Sequence, residues 1–437
     1  MYRKIMAMFL ALVMVFLLVA CGNANVSNTN ASGKLSKSSS TQNGKVINVW
    51  VAWTPGEATE KALVEKFKEY EKETGVKINY TNFSLDMIHD KVLSAAAAGN
   101  PPDLIWGIPE WIGEFYKMGI LEDLTDRFNS WSDKNSIPDS IKKAMTVDNK
   151  IVGIPYESTV RGYLVHANML EKANVKVPKT WDDLLALKDY KKTQGKYPFE
   201  ITGTSVREPQ ELLVYLAEYD LEIATLQSDG KYRNTWNDNK DELAKAAKVF
   251  QFYKDLFNNG IVDPNARSWG WQNTDENFVT GIVATDVSGN WLSERESTNP
   301  DTMKDIEIYP IPYPSDGHTA TYLEAKPMFI FKASKNKEGA FDLATKICSK
   351  EWQQAAFADR SPRADVYTES KWVKDFHALA DKGVTFPNVT LGGITQAMQD
   401  AIAKLLQEGK SPEEVAKWLS DAVNSSLNSS GELSKMK

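Results

Sequence analysis

Residues 46–83 read VINVWVAWTPGEATEKALVEKFKEYEKETGVKINYTNF: an apolar run, an amphipathic stretch closed by glycine, and a second apolar run. VINVWVAW has the β-branched and aromatic content of a strand. In the stretch that follows, Leu63, Phe67 and Tyr70 recur at helical spacing and Gly75 supplies the stop. Downstream, MIHDKVLSAAAAG (residues 87–99) and DLIWG (103–107) continue the alternation. Strand, helix, strand, helix, strand predicts βαβ units on a parallel sheet. In such sheets ligands lie beyond the carboxyl ends of the strands, where Trp53 and Trp106 stand.

Upstream the character is different. Arg3 and Lys4 precede an uninterrupted apolar run from Ile5 to Ala20, too short and too N-terminal for a spanning helix, so residues 1–20 read as an export signal. Leu18, Val19, Ala20 and Cys21 resemble a bacterial lipobox, which implies cleavage before Cys21 and a lipid on its thiol. Residues 21–45 are almost wholly Ser, Asn, Thr, Gly and Lys, a flexible tether by composition. The whole chain carries net charge −7; residues 1–20 hold two basic and no acidic residues, so the remainder has 49 basic against 58 acidic, or −9. That balance disfavours nucleic acid and anionic lipid as partners. With Cys21 lipidated, Cys348 is left single in an apolar helical stretch and reads as a small buried hydrophobe.

At 437 residues the chain is long enough for two domains, and no internal repeat is visible. A second region opens near KIVGIPYESTVRGYLVHANML as a short hairpin, a strand and a helix. Thr180 with Asp183, and Ser411 with Pro412 and Glu414, mark two helix starts. DELAKAAKVFQFYKDLFNNG is a long helix with Leu243, Ala247, Phe250 and Phe257 along one side. In SWGWQNTDENFVTGIVATDVSGNW (268–291), Trp269 and Trp271 lie on a glycine-broken loop, with alternation turning one of them to a ligand. A short helix follows with Asn273 or Thr274 as N-cap, then a buried strand that delivers Trp291.

Catalytic signals are few. The histidines His89, His166, His318 and His377 are scattered, with no HExxH, GxSxG, P-loop or metal-ligand spacing. Among 58 acidic residues, spacing alone nominates no glycosidase pair. The positive signal is aromatic: 13 Trp, 16 Tyr and 17 Phe, many at strand ends beside carboxylates. A flat ring suits the C–H face of a sugar, and planar side chains suit its hydroxyls. Trp50, Trp181, Trp352, Trp372 and Trp418 lie inside helices or strands and read as core.

In order and spacing, AAAAGNPPDLIWG, MGILEDLTD, GIPYESTVRGYLVHANMLEKA, VPKTWDDLL, FVTGIVATDVSGNW, SKNKEGAFDLATKICSKEWQ and SPEEVAKWLSDAV resemble the extracellular solute-binding proteins of carbohydrate ABC transporters, the maltose-binding-protein-like group. The resemblance runs from about Val46 to Asn428. It implies an α/β, two-lobed periplasmic-binding-protein-like fold of type II, with three hinge crossings near Tyr156 to Val160, Tyr322 to Pro327 and Ser361 to Asp365. One lobe is expected from residues 46–156 and 326–361, the other from 157–325 and 362–437. A sugar, more in keeping with an oligosaccharide, is expected in the cleft, with permease and ATPase subunits as partners, a monomeric chain, and no cofactor, metal or catalysis. Carried over residue by residue, the resemblance places Trp53, Glu57, Trp106, Tyr156 and Glu157, Trp269 or Trp271, and Trp291 at the ligand. Arg161, Tyr322, Glu324, Arg363 and Asp86 are further candidates for polar contacts. Asp286 departs from the family's usual strand and is expected to make a local polar contact. Two other readings stay open at this point: a secreted glycoside hydrolase or lyase, and a receptor for a different solute such as a peptide.

Overall fold

A computed structural model describes residues 46–53, 55–204 and 207–436. The export signal, the tether and Cys21 lie outside the described residues. Among the described residues no helix is long and apolar enough to cross a membrane.

The opening stretch folds as its periodicity requires. Strand β1 (Val46–Val51) buries Ile47, Val49 and Val51 completely. Helix α1 (Ala58–Thr74) buries Leu63, Phe67 and Tyr70 on one side. It ends at Gly75, whose φ of 71° lets its N–H reach back to Glu71 O. Strand β2 (Lys77–Asn82), helix α2 (Leu85–Ala97) and strand β3 (Leu104–Trp106) follow, and β1 pairs in parallel with both β2 and β3.

Two long strands carry this sheet onward. Strand β4 (Ile154–His166) follows a short hairpin, and β5 (Tyr197–Phe199), helix α3 (Arg207–Ala217), helix α4 (Lys240–Asn258) and helix α5 (Trp271–Val279) come next. Then come β6 (Val283–Gly289), β7 (Ile306–Tyr309) and β8 (Thr321–Ile330). The strand order is β2-β1-β3-β8-β4-β6-β5, with β7 also on β4. One end of β8 pairs antiparallel with β3, and its middle pairs with the first half of β4. The second half of β4 pairs with β6 and β7. One sheet thus passes from the βαβ region into a second region on two shared strands, and it is mixed beyond β3.

Two cores flank the shared strands. One gathers Ile47, Leu104, Phe115, Phe329 and Trp352 around β1 and β3. The other gathers Leu212, Phe250, Met398 and Leu419, where α3 and α4 meet the last two helices, α6 (Gly392–Leu406) and α7 (Pro412–Ser429). Trp181, Trp352 and Trp372 are buried, and Trp50 and Trp418 pack partly into the cores. Cys348 is fully buried.

Two details depart from the sequence reading. The buried face of α4 is Ala246, Val249, Phe250, Phe252, Tyr253 and Leu256; Leu243, Ala247 and Phe257 lie at its edge, because helices on two sides widen the buried stripe. Helix α5 begins at Trp271, so Gly270 takes the N-cap position. Asn273, at the third helical position, reaches back with Oδ1 to accept from Gly270 N–H at 3.1 Å. Thr180 and Ser411 cap their helices as expected, each within a reciprocal pair with Asp183 or Glu414.

Candidate functional site

The loop after β1 is held in place by one side chain. Asn82 at the end of β2 accepts from Trp53 N–H at 3.0 Å and donates to Trp53 O at 2.9 Å. Trp53 leans on Phe67 and Tyr80, with ring centroids 5.9 and 6.0 Å away, and its buried indole N–H has no partner among the described residues. Trp106 ends β3 and meets Trp111 and Tyr156 edge-on at 5.9 and 6.3 Å.

Facing them, Trp271 opens α5 and Trp291 follows β6. Trp291 Nε1 donates to Asp275 Oδ2 at 2.8 Å. Asp275 also accepts from Arg207 at 2.8 and 3.2 Å and from Ser288 at 2.8 Å. The guanidiniums of Arg161 and Arg207 lie 4.5 and 5.1 Å from the Trp291 ring centroid, a cation–π arrangement that fixes the indole plane.

Between these two walls lies a cavity of about 450 Å³, within the range of ~300–1,000 Å³ usual for small-molecule sites. Trp53, Phe83, Trp106, Trp271 and Trp291 supply its aromatic lining. Its floor is the stretch of β4 and β8 where the sheet passes between regions. Strand alternation points Glu157 and Arg161 from β4, and Glu324 and Lys326 from β8, to the cavity side. Lys326 bonds Glu157 at 2.8 Å and approaches Glu324 at 3.7 Å. Arg161 bonds Gln210 at 2.7 Å and Glu324 at 3.4 Å, and its Nε is buried without a partner. Arg360 bonds Glu294 and lies 3.5 Å from Glu157.

Each of these buried cations therefore has a carboxylate, and Arg161 keeps its buried Nε–H to spare. Burial opposes the charge on Glu324, but Lys326 and Arg161 outweigh it and hold the carboxyl below the usual carboxylate range. Two other carboxyls behave oppositely. Burial pushes Glu57 up to about 7, helped by the facing Glu294. Burial also pushes Glu110, just behind the cavity, up to about 7, with the charge of Glu324 adding to it.

Of the residues the sequence nominated, Trp53, Glu57, Trp106, Glu157, Arg161, Trp271, Trp291 and Glu324 line this cavity. Four do not. Tyr156 is buried beneath it, edge-on to Trp106 and Phe357. Tyr322 is fully buried and donates to Glu110 Oε1 at 2.9 Å. Trp269 packs against the second core while its carbonyl accepts from Gly203 and Thr204, so Trp271 is the member of that pair on the cavity. Arg363 is committed to Asp133, Asp365 and the carbonyl of Cys348. The side chain of Asp86 lies outside the described residues. Asp286 is buried under the second wall with one carboxyl oxygen unpartnered; burial pushes it well up, against the pull of Arg207.

Sequence reasoning missed Arg207, Gln210, Asp275, Glu294, Lys326 and Arg360. Periodicity held the signal for two of them: Asp275 is four residues after Trp271 on one helix face, and Lys326 is two after Glu324 on one strand face. Arg207, Gln210 and Arg360 arrive from distant segments with no local signature.

Comparison with known proteins agrees with this architecture. A family model described as bacterial extracellular solute-binding protein matches residues 65–381. A putative binding protein of Brucella abortus is 25% identical over 290 residues, covering 65% of this chain and 68% of that protein. The GacH receptor of Streptomyces glaucescens, solved unliganded and with acarbose, superposes with a TM-score of 0.77 at 21% identity, over 90% of this chain and 100% of that one. An ABC transporter solute-binding protein of Thermotoga lettingae, bound with α-D-tagatose, gives 0.76 at 24% identity, over 87% and 99%. With the two-lobed sheet and the cavity between its walls, the matched span of more than half the sequence identifies what kind of molecule this is: the chain belongs to the bacterial extracellular solute-binding proteins, a family of binding proteins and not of enzymes.

Proposed function

We propose that this protein is the receptor of an ABC importer and that it captures a neutral carbohydrate in the cavity between its lobes. The observation that carries the reading is the lining itself: four tryptophans together with Arg161, Arg207, Arg360 and Lys326, each already matched by a carboxylate. Such a surface offers rings to C–H faces and paired donors and acceptors to hydroxyls, with no unpaired cation among those four for an anionic ligand. Four tryptophans around one cavity favour more than one sugar ring. The sugars in the similar GacH and Thermotoga structures support the same class.

In this reading the lobes are residues 46–156 with 326–361, and 157–325 with 362–437. They hinge at Tyr156–Val160, Tyr322–Pro327 and Ser361–Asp365, and the closed form is what the permease engages. The lipid on Cys21 keeps the receptor at the outer face of the membrane, and no cofactor takes part. Thermal melting and tryptophan fluorescence of the purified protein with maltose, maltotriose, α-D-tagatose and a short peptide test the proposal. At a sugar concentration 100 times Kd, stability should rise by about 2.7 kcal/mol. A response to the peptide and to none of the sugars overturns the carbohydrate assignment.

A further inference from the structure

We propose that closure of the cleft takes up protons on Glu57 and Glu110, so that the protein captures its ligand more tightly in mildly acidic than in mildly alkaline surroundings. The proposal deepens the receptor reading and rests on it for the hinge.

Both carboxyls find their buried surroundings across the cleft. Glu57 precedes α1 on the first wall and lines the cavity together with Glu294, from the segment after β6 on the second. Glu294 Oε1 is taken by Thr59 Oγ at 2.7 Å and by Arg360, while its Oε2 is buried without a donor. The cations nearby are Arg360, shared among Glu294, Asp359 and Glu157, and Arg295, which lies 4.0 Å from Glu276. One proton between Glu57 and Glu294 supplies the missing donor, and Arg360 keeps the other carboxyl ionised.

Glu110 follows β3 and is 6% exposed. Its Oε1 accepts from Gln210 Nε2 at 2.7 Å, on α3 of the opposite lobe, and from Tyr322 OH at 2.9 Å, on β8. Among the described residues its buried Oε2 has no partner and Glu110 joins no salt bridge. The charged neighbour it does have is Glu324, kept ionised by Arg161 and Lys326. A carboxylate so placed takes a proton in preference to remaining charged. The values of about 7 at both residues agree with that placement.

When the lobes part, water reaches both carboxyls and they return towards the ordinary value near ~4.3. Between about pH 4.5 and 7 the closed form then holds protons that the open form has released, so closure is favoured as pH falls through that window. From pH 8 to pH 6 Glu110 alone strengthens closure about tenfold, and the partly buried Glu57 adds less because solvent screens it.

Small-angle X-ray scattering of the purified protein without ligand, from pH 5.5 to 8.5, reads this directly. The radius of gyration should fall as pH falls below about 7. In the double variant E57Q/E110Q, whose amides mimic the protonated carboxyls, it should stay at the compact value throughout. The single variants E57Q and E110Q, each expected to remove part of the pH response, serve if the pair does not fold. A radius independent of pH in the folded wild type overturns the proposal, as does a variant that titrates as the wild type does. No sugar enters this experiment, so its outcome is separate from that of the sugar panel.

Discussion

Trp291→Ala should weaken sugar binding about 30-fold or more, equivalent to ~2 kcal/mol at an aromatic anchor in a desolvated site. The ring is held by the 2.8 Å bond to Asp275 and by two guanidiniums, so it is presented in one orientation and the ligand meets a surface already ordered. Removing it also uncovers Arg161 and Arg207, which then compete for water. Gly289→Ala is the companion variant. A Cβ there would stand 1.8 Å from the Trp291 ring, so the indole must move although it is still present. Titration calorimetry should show both variants weakened, Trp291→Ala more. Affinity within threefold of wild type in both would remove Trp291 from the site.

The second large effect is on stability. Arg207→Ala should cost about 3–5 kcal/mol, because it removes one partner of a buried ion pair and leaves Asp275 charged and dry. Arg207 and Asp275 side chains are each 5% exposed, and Thr274, Ser288 and Trp291 are tied into the same network. Asp286 and Glu211 add weight, since Arg207 lowers the cost of both buried carboxyls. Arg207→Lys should recover only part of the loss, as an ammonium cannot span both oxygens of Asp275. Urea unfolding followed by circular dichroism measures it, and a loss below about 1 kcal/mol would mean that water replaces the guanidinium.

What the sequence disclosed follows from how far each signal reaches along the chain. The βαβ start was legible because Ile47, Val49 and Val51, and then Leu63, Phe67 and Tyr70, repeat within single elements. The passage of one sheet into a second region on β4 and β8 was not, since those pairings join residues some 165 positions apart, such as Thr159 and Glu324. At the cavity, tryptophans at strand ends were visible as chemistry without geometry. Trp269 and Trp271 look alike in sequence; they differ because α5 starts at Trp271, while Trp269 caps the preceding turn and falls onto the core. Tyr322 and Arg363 read in sequence as polar contacts; in the fold their polar groups go to Glu110 and to Asp133, Asp365 and the Cys348 carbonyl. The partners that decide this, Glu110 for Tyr322 and Asp133 for Arg363, are more than 200 residues away.

The central claim is that a sugar occupies the space between the two walls. A crystal structure of the protein with whichever of maltose, maltotriose or α-D-tagatose stabilises it most tests that claim directly. Sugar density is expected in contact with Trp106 and Trp271, with a hydroxyl within hydrogen-bond distance of Arg161 or Glu324 and the Trp291 indole still bonded to Asp275. Sugar bound outside the cavity, or a complex in which it touches none of Trp106, Trp271, Arg161 and Glu324, would rule that site out.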